Sequence, residues 1–177
     1  MKTFIYCILM ILSLLITTIV LLEVSATTDV ALGGINKDAP VKTYQEITIH
    51  ACPQKVYQVM SDIDHWEEWN HDIENPKLNG PFKVCGSFDL KREGLSVHSI
   101  FHKIIPNRKI GWSGKTCGAF AVHNWSFIEH GNYTTVKVEE SVEGWKAYVM
   151  RDSCQKGLEQ SLQVWLKNLK KEAESRC

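Results

Sequence analysis

Between Ser87 and Val142 the chain runs through five alternating apolar/polar segments in immediate succession. Ser87–Arg92 carries Phe88 and Leu90 and ends at the turn Glu93-Gly94; Leu95–Ile105 ends at Pro106-Asn107. Lys109–Thr116 sets Ile110, Trp112 and Gly114 on one face, and Phe120–Glu129 sets His123, Trp125 and Phe127 on one face. His130-Gly131-Asn132 then closes a hairpin into Tyr133–Val142, where Val136 and Val138 alternate with Thr135 and Lys137. A period of two with turn residues at each break predicts consecutive hairpin-linked strands, hence an antiparallel sheet. The period then changes to that of a helix: over Lys146 to Ser175 an apolar stripe of Leu158, Leu162, Trp165, Leu166, Leu169 and Ala173 faces one way. One long helix after a curved sheet has one place to bury such a stripe, the sheet's concave face, so the fold class expected is α+β. Gly157 interrupts the helix and marks a kink or a close approach.

Upstream, Tyr44 to His50 alternates into a further strand with Ile47 and Ile49 on one face. Pro53 suits a helix's first turn, and Val56, Tyr57, Val59 and Met60 recur at helical spacing. Asp62, read as a helix-end residue, and Asp64 bracket a second short helix with Trp66 and Trp69, which pack it onto the sheet or form an aromatic lip. Asn75–Gly86, with two prolines and two glycines, reads as loop.

The first 26 residues are a separate object. Phe4 to Leu22 holds no charge over 19 residues, longer than the usual apolar core of a secretory signal and close to the ~20 needed to span a bilayer. Val24-Ser25-Ala26 nevertheless offers a cleavage site, so residues 1–26 are a signal-anchor or a signal peptide, the anchor being favoured. With Lys2 before the apolar run and no Lys or Arg after it until Lys37, the domain is expected on the non-cytosolic side, or secreted if cleaved near Ala26. Residues 27–42 read as a flexible tether, and 43–177 as the single domain. Export permits disulfides; Cys7 lies in the apolar segment, leaving Cys52, Cys85, Cys117, Cys154 and Cys177, an odd count with several connectivities open. Buried unpaired thiols are the equal alternative. Asn124-Trp-Ser126 and Asn132-Tyr-Thr134 match the glycosylation acceptor. Twenty basic and twenty acidic residues balance, and the one basic cluster, Lys167, Lys170 and Lys171, is broken by glutamates, which excludes a nucleic-acid partner of ordinary kind.

Several local features occur in the order of one superfamily. These are the Pro53-led KVYQVMSD helix, the DIDHWEEWN turn from Asp62 to Asn70, Gly80, Gly86 at a strand start, and Pro106 with Arg108 before Trp112. His123-x-Trp125-x-Phe127 and a strand end from Glu140 to Gly144 follow. Over residues 44–175 the chain resembles the START/Bet v 1-like (SRPBCC) proteins, most closely the polyketide-cyclase and lipid-transport branch. The resemblance implies a helix-grip fold with a cavity between curved sheet and long helix. It departs from the family in its N-terminal segment and in the aromatic load of Phe120–Glu129, which would shrink the cavity. Strand parity then assigns a lining of Phe88, Leu90, Ile110, Trp112, Trp125, Phe127, Val136 and Val138, with Tyr148 and Leu158 from the helix; side chains that simply fill the core are the competing reading.

His123 is the polar residue of that inward set, and Glu140 shares the parity of Val136 and Val138, so an imidazole–carboxylate pair is the candidate acid/base element. His98 and His102 share a face without a third ligand, so no metal is expected; His65 and His71 read as solvent-facing. GxSxG, HExxH, GxGxxG and P-loop patterns are absent, so no cofactor is expected. The leading expectation is a non-catalytic binder or carrier of a lipid or other hydrophobic small molecule. The alternatives are an aromatase/cyclase-like enzyme using His123 and Glu140, and an interaction module without a ligand.

Overall fold

The computed structural model describes residues 2–25, 33–116 and 118–176. Helix α1 (Lys2–Ser25) is followed by β1 (Val41–Ile49), α2 (Pro53–Ser61), a 3-10 turn (Ile63–His65) and α3 (Trp66–Trp69). Then come β2 (Glu74–Asn79), β3 (Ser87–Arg92), β4 (Leu95–Ile105), β5 (Lys109–Thr116), β6 (Ala119–His130) and β7 (Tyr133–Glu143), and finally α4 (Trp145–Val149) and α5 (Arg151–Ser175). The strands form one seven-stranded antiparallel sheet in the order β1-β7-β6-β5-β4-β3-β2. Four short turns join β3 to β7 in succession and the longer loop 80–86 joins β2 to β3, while α2 and α3 carry the chain from one edge of the sheet to the other.

The sheet curves around α5, whose buried residues are the expected stripe: Leu158, Leu162, Trp165, Leu166, Leu169 and Ala173. One flank of α5 is pinned to β1 along its length. Gln155 Nε2 donates to the Lys42 carbonyl (2.9 Å), Gln45 Nε2 to the Glu159 carbonyl (2.9 Å), Lys170 Nζ to the Thr48 carbonyl (2.8 Å), and the His50 amide to Glu174 Oε1 (2.8 Å).

Three expectations change. Asn75–Asn79, read as loop, belongs to β2. Asn75 adopts φ 49° and the register slips between Glu74 and Lys77, so Pro76 sits in an irregular edge strand that tolerates it, and the alternation is lost from the sequence. Asp64 fixes that strand by accepting from the Leu78 amide at 2.7 Å. The C-terminal helix is two helices: Met150 (φ −116°, ψ 37°) breaks it, whereas Gly157 lies inside α5, exposed, with open space where a Cβ would stand. Gly144, at φ 100°, opens α4, and a Cβ there would come 2.6 Å from the Gly118 carbonyl oxygen. Finally, the expected tether is packed from Gly33 onward. Ile35 covers Phe120 and Val122 on the outer face, and the Asn36 amide donates to Ser141 Oγ at 3.1 Å.

Candidate functional site

Register places one residue from each of five neighbouring strands in a row across the concave face: Phe101 opposite Trp112, Trp112 opposite His123, His123 opposite Glu140, and Glu140 opposite Thr43. His123 stacks on Trp112 with ring centroids 4.9 Å apart and 20° between planes. Its Nδ1 lies 2.9 Å from Glu140 Oε2, with side chains 13% and 4% exposed. The ring nitrogen does not align with that oxygen as a hydrogen bond, so the pair is a close polar contact with hydrogen-bonding capacity to spare.

Around this pair the grip is aromatic. Trp112 stacks on Trp125 (6.1 Å, 10°); Trp165 of α5 lies 5.6 Å from Trp125 and 5.3 Å from Trp66; Trp66 lies 5.3 Å from Phe88. Offset and edge-on ring pairs at these separations add to simple area burial. Of the expected lining, Phe88, Leu90, Ile110, Trp112, Trp125, Phe127, Val136, Val138 and Leu158 are all buried, and His123 is nearly so. Tyr148 is corrected: it is 49% exposed, because the break at Met150 turns α4 so that Ala147 is the residue buried there. Trp165, expected on the buried stripe of α5, and Trp66, expected to pack onto the sheet or form a lip, stand outside the expected lining, yet both reach the row. Parity missed Phe101, whose strand shifts register at Phe101/Lys103.

Two indole nitrogens in this wall, Trp125 Nε1 and Trp165 Nε1, are buried without a hydrogen-bond acceptor, as is His123 Nδ1 without an aligned partner. Such groups are rare because each forfeits the hydrogen bond it had in water. Trp125 and His123 stand two residues apart on one strand face, so their backbones are about 7 Å apart.

A surface groove flanks the unpinned side of α5. It has a volume of about 390 Å³ and runs between α5 and the β3–β4 turn, lined by His71, Asp72, Arg92, Gly157, Ser161 and Val164 among others. Gly157 contributes no side chain there, and Leu158, Leu162 and Trp165 lie on the adjacent inner face. Two further concavities, of about 620 and about 140 Å³, lie on the outer face and are mainly polar.

The remaining candidates disperse. His98 pairs with Asp89 at 2.6 Å, while His102 Nε2 meets Asn124 Oδ1 at 3.0 Å. Among the described residues no three His, Cys, Asp or Glu side chains come together. Burial holds the His102 imidazole below its ordinary range, against a smaller opposing pull from Asn124. His65 is exposed beside Asp62 at 2.7 Å, His71 is exposed, and Trp66 and Trp69 are buried rather than forming a lip. Cys7, Cys52, Cys85 and Cys154 carry free thiols; Cys117 and Cys177 lie outside the described residues, as does the expected cleavage site at Ala26. Asn132 is exposed in its turn, but Asn124 is engaged with His102 and with the Gly33 carbonyl.

Residues 50–171 match the family model described as Activator of Hsp90 ATPase homolog 1-like protein. No curated protein matches the chain in sequence. Among solved structures, a hypothetical protein, jhp0584, from Helicobacter pylori superimposes with a TM-score of 0.70 at 18% identity, covering 78% of this chain and 91% of its own. The aromatase/cyclase Zhui from Streptomyces sp. R1128 gives 0.67 at 15%, covering 76% and 94%. A START superfamily protein from Mycobacterium smegmatis gives 0.64 at 16%, covering 77% and 99%. At these identities the likeness is one of fold.

Proposed function

This chain belongs to the family of Activator of Hsp90 ATPase homolog 1-like proteins, within the START/polyketide-cyclase superfamily, and from that premise we propose that it binds a hydrophobic small molecule in the grip between sheet and α5. The observation that carries the reading is the aromatic wall with unsatisfied donors at Trp125 and Trp165 and a polar end at His123 and Glu140. An apolar wall with a few oriented polar groups selects a flat, mostly apolar ligand carrying carbonyl or phenol oxygens. Because the rings pack against one another at 5–6 Å, admission requires α5 to swing away from its groove side while β1 holds its other flank.

Trp125→Phe keeps the ring and removes the donor. For an oxygen-bearing ligand it is expected to weaken binding by about 3- to 10-fold, the worth of one hydrogen bond, in a tryptophan-fluorescence titration. Unchanged affinity would remove the role given to the indole.

A second reading is favoured by the 2.9 Å approach of His123 to Glu140, which fits a cyclase-like proton shuttle. His123→Ala separates the two. A carrier keeps its affinity within about tenfold, whereas an acid/base catalyst loses turnover by about 10²–10⁴-fold.

We propose further that α1 anchors the domain. Lys2–Leu21 is long and apolar enough to cross a bilayer, with a mean hydropathy of 2.7. The charge asymmetry around it supports a domain on the non-cytosolic side, with release after cleavage near Ala26 as the alternative.

A further inference from the structure

At the junction of α4 and α5 three consecutive large apolar side chains face solvent: Tyr148 is 49% exposed, Val149 74% and Met150 50%. Val149 is the most exposed large apolar side chain among the described residues. Nothing in the folding of the domain requires this, since Ala147 alone supplies the buried contact of α4. Charges along the chain around the knuckle lean basic: Lys146 and Arg151 flank it directly and Lys156 follows one turn later, against the acids Glu143 and Asp152. The Lys146 ammonium sits over the Trp145 ring, 5.8 Å from its centroid. An aromatic and two apolar side chains flanked on both sides by cations is the composition of a surface that enters the headgroup layer of a bilayer.

Two observations select that occupant. Helix α1 approaches α4, with Cα atoms within 8 Å of one another. The eight steps of chain from Ser25 to Gly33 can span at most about 28 Å, which keeps the domain within its own diameter of whatever holds α1. Tethering raises the local concentration of membrane surface, so a small apolar knuckle suffices where a free domain would need a larger one.

We infer that the α4–α5 knuckle docks on the bilayer spanned by α1, with Tyr148, Val149 and Met150 in the interfacial layer and Lys146 and Arg151 on lipid phosphates; this rests on the anchored reading of α1. It orients the molecule. The Lys146 amide bonds the Gly118 carbonyl at 3.1 Å, at the β5–β6 turn. The knuckle therefore shares an end of the sheet with His123 and Glu140, and that end of the grip faces the membrane.

The test is photo-crosslinking of the full-length chain in vesicles of phosphatidylcholine and phosphatidylglycerol. A diazirine amino acid is placed in separate variants at Leu12 in α1, at Val149, and at Ile105, which is 39% exposed at the opposite end of the sheet. Lipid adducts at 12 and 149, several-fold above those at 105, are the expected result. Adducts at 12 with 149 no higher than 105 overturn the docking surface and leave the anchor standing. No adduct at 12 overturns the anchor, and adducts at 149 alone would then support docking by an unanchored domain.

Discussion

His102, Gly111 and Asn124 show how single residues hold the outer face. A Cβ at Gly111 would stand 2.5 Å from His102 Nε2 and 2.7 Å from Asn124 Oδ1, so only glycine lets the imidazole and the amide meet. Gly111→Ala is expected to cost about 1–3 kcal/mol in chemical denaturation, the usual penalty for forcing packed groups apart. His102 also gives the stability a pH dependence. Burial lowers its folded-state pKa below the ordinary value of 6.5, so in the window between the two the unfolded chain binds more proton. Stability therefore falls as pH drops through that window and levels off below the folded value. His102→Gln, neutral throughout, is expected to flatten the melting-temperature change between about pH 7.5 and about pH 5.5. An unchanged slope would assign it to other groups. At this scale His123 and Glu140 were legible, because strand parity alone put them on the inner face. Tyr148 was not, because its exposure follows from a backbone break that no side-chain pattern announces.

The elements were legible wherever alternation or a stripe ran unbroken, as in β3 to β7 and α5. They were hidden where a tertiary contact replaces the pattern. In β2, the carboxylate of Asp64 ties the strand down through the Leu78 amide, and that bond holds the Asp64 pKa below its usual range. Asp64→Ala is expected to lower stability by about 1 kcal/mol and to speed hydrogen exchange in β2 before the rest of the sheet. Exchange rising uniformly instead would deny the local tie. Gly157 makes the opposite case: it was read as a kink or a close approach, but α5 runs on through it and nothing packs against it. With no atom within 4 Å of a built Cβ, Gly157→Ala is expected to raise stability by about 0.5–1 kcal/mol through helix propensity. If α5 admits ligand along this groove, the same change slows ligand exchange, which stopped-flow fluorescence would read.

The whole molecule is a sheet closed on a helix, carried behind an apolar N-terminal helix, and its outline was readable because each element buries its apolar side in the one place available. The lining of the grip was readable only in part. Trp66 and Trp165 lie far apart in sequence and meet the Trp112–Trp125 stack through packing that periodicity does not encode. The proposed occupant of this grip is a hydrophobic molecule. Native mass spectrometry of the full-length chain, gently extracted from its own host's membranes, tests it most directly. One discrete added mass is expected, released on denaturation and diminished in Trp125→Phe. A bare protein mass, together with tryptophan emission indifferent to added apolar probes, would contradict it and leave the aromatic wall as packed core.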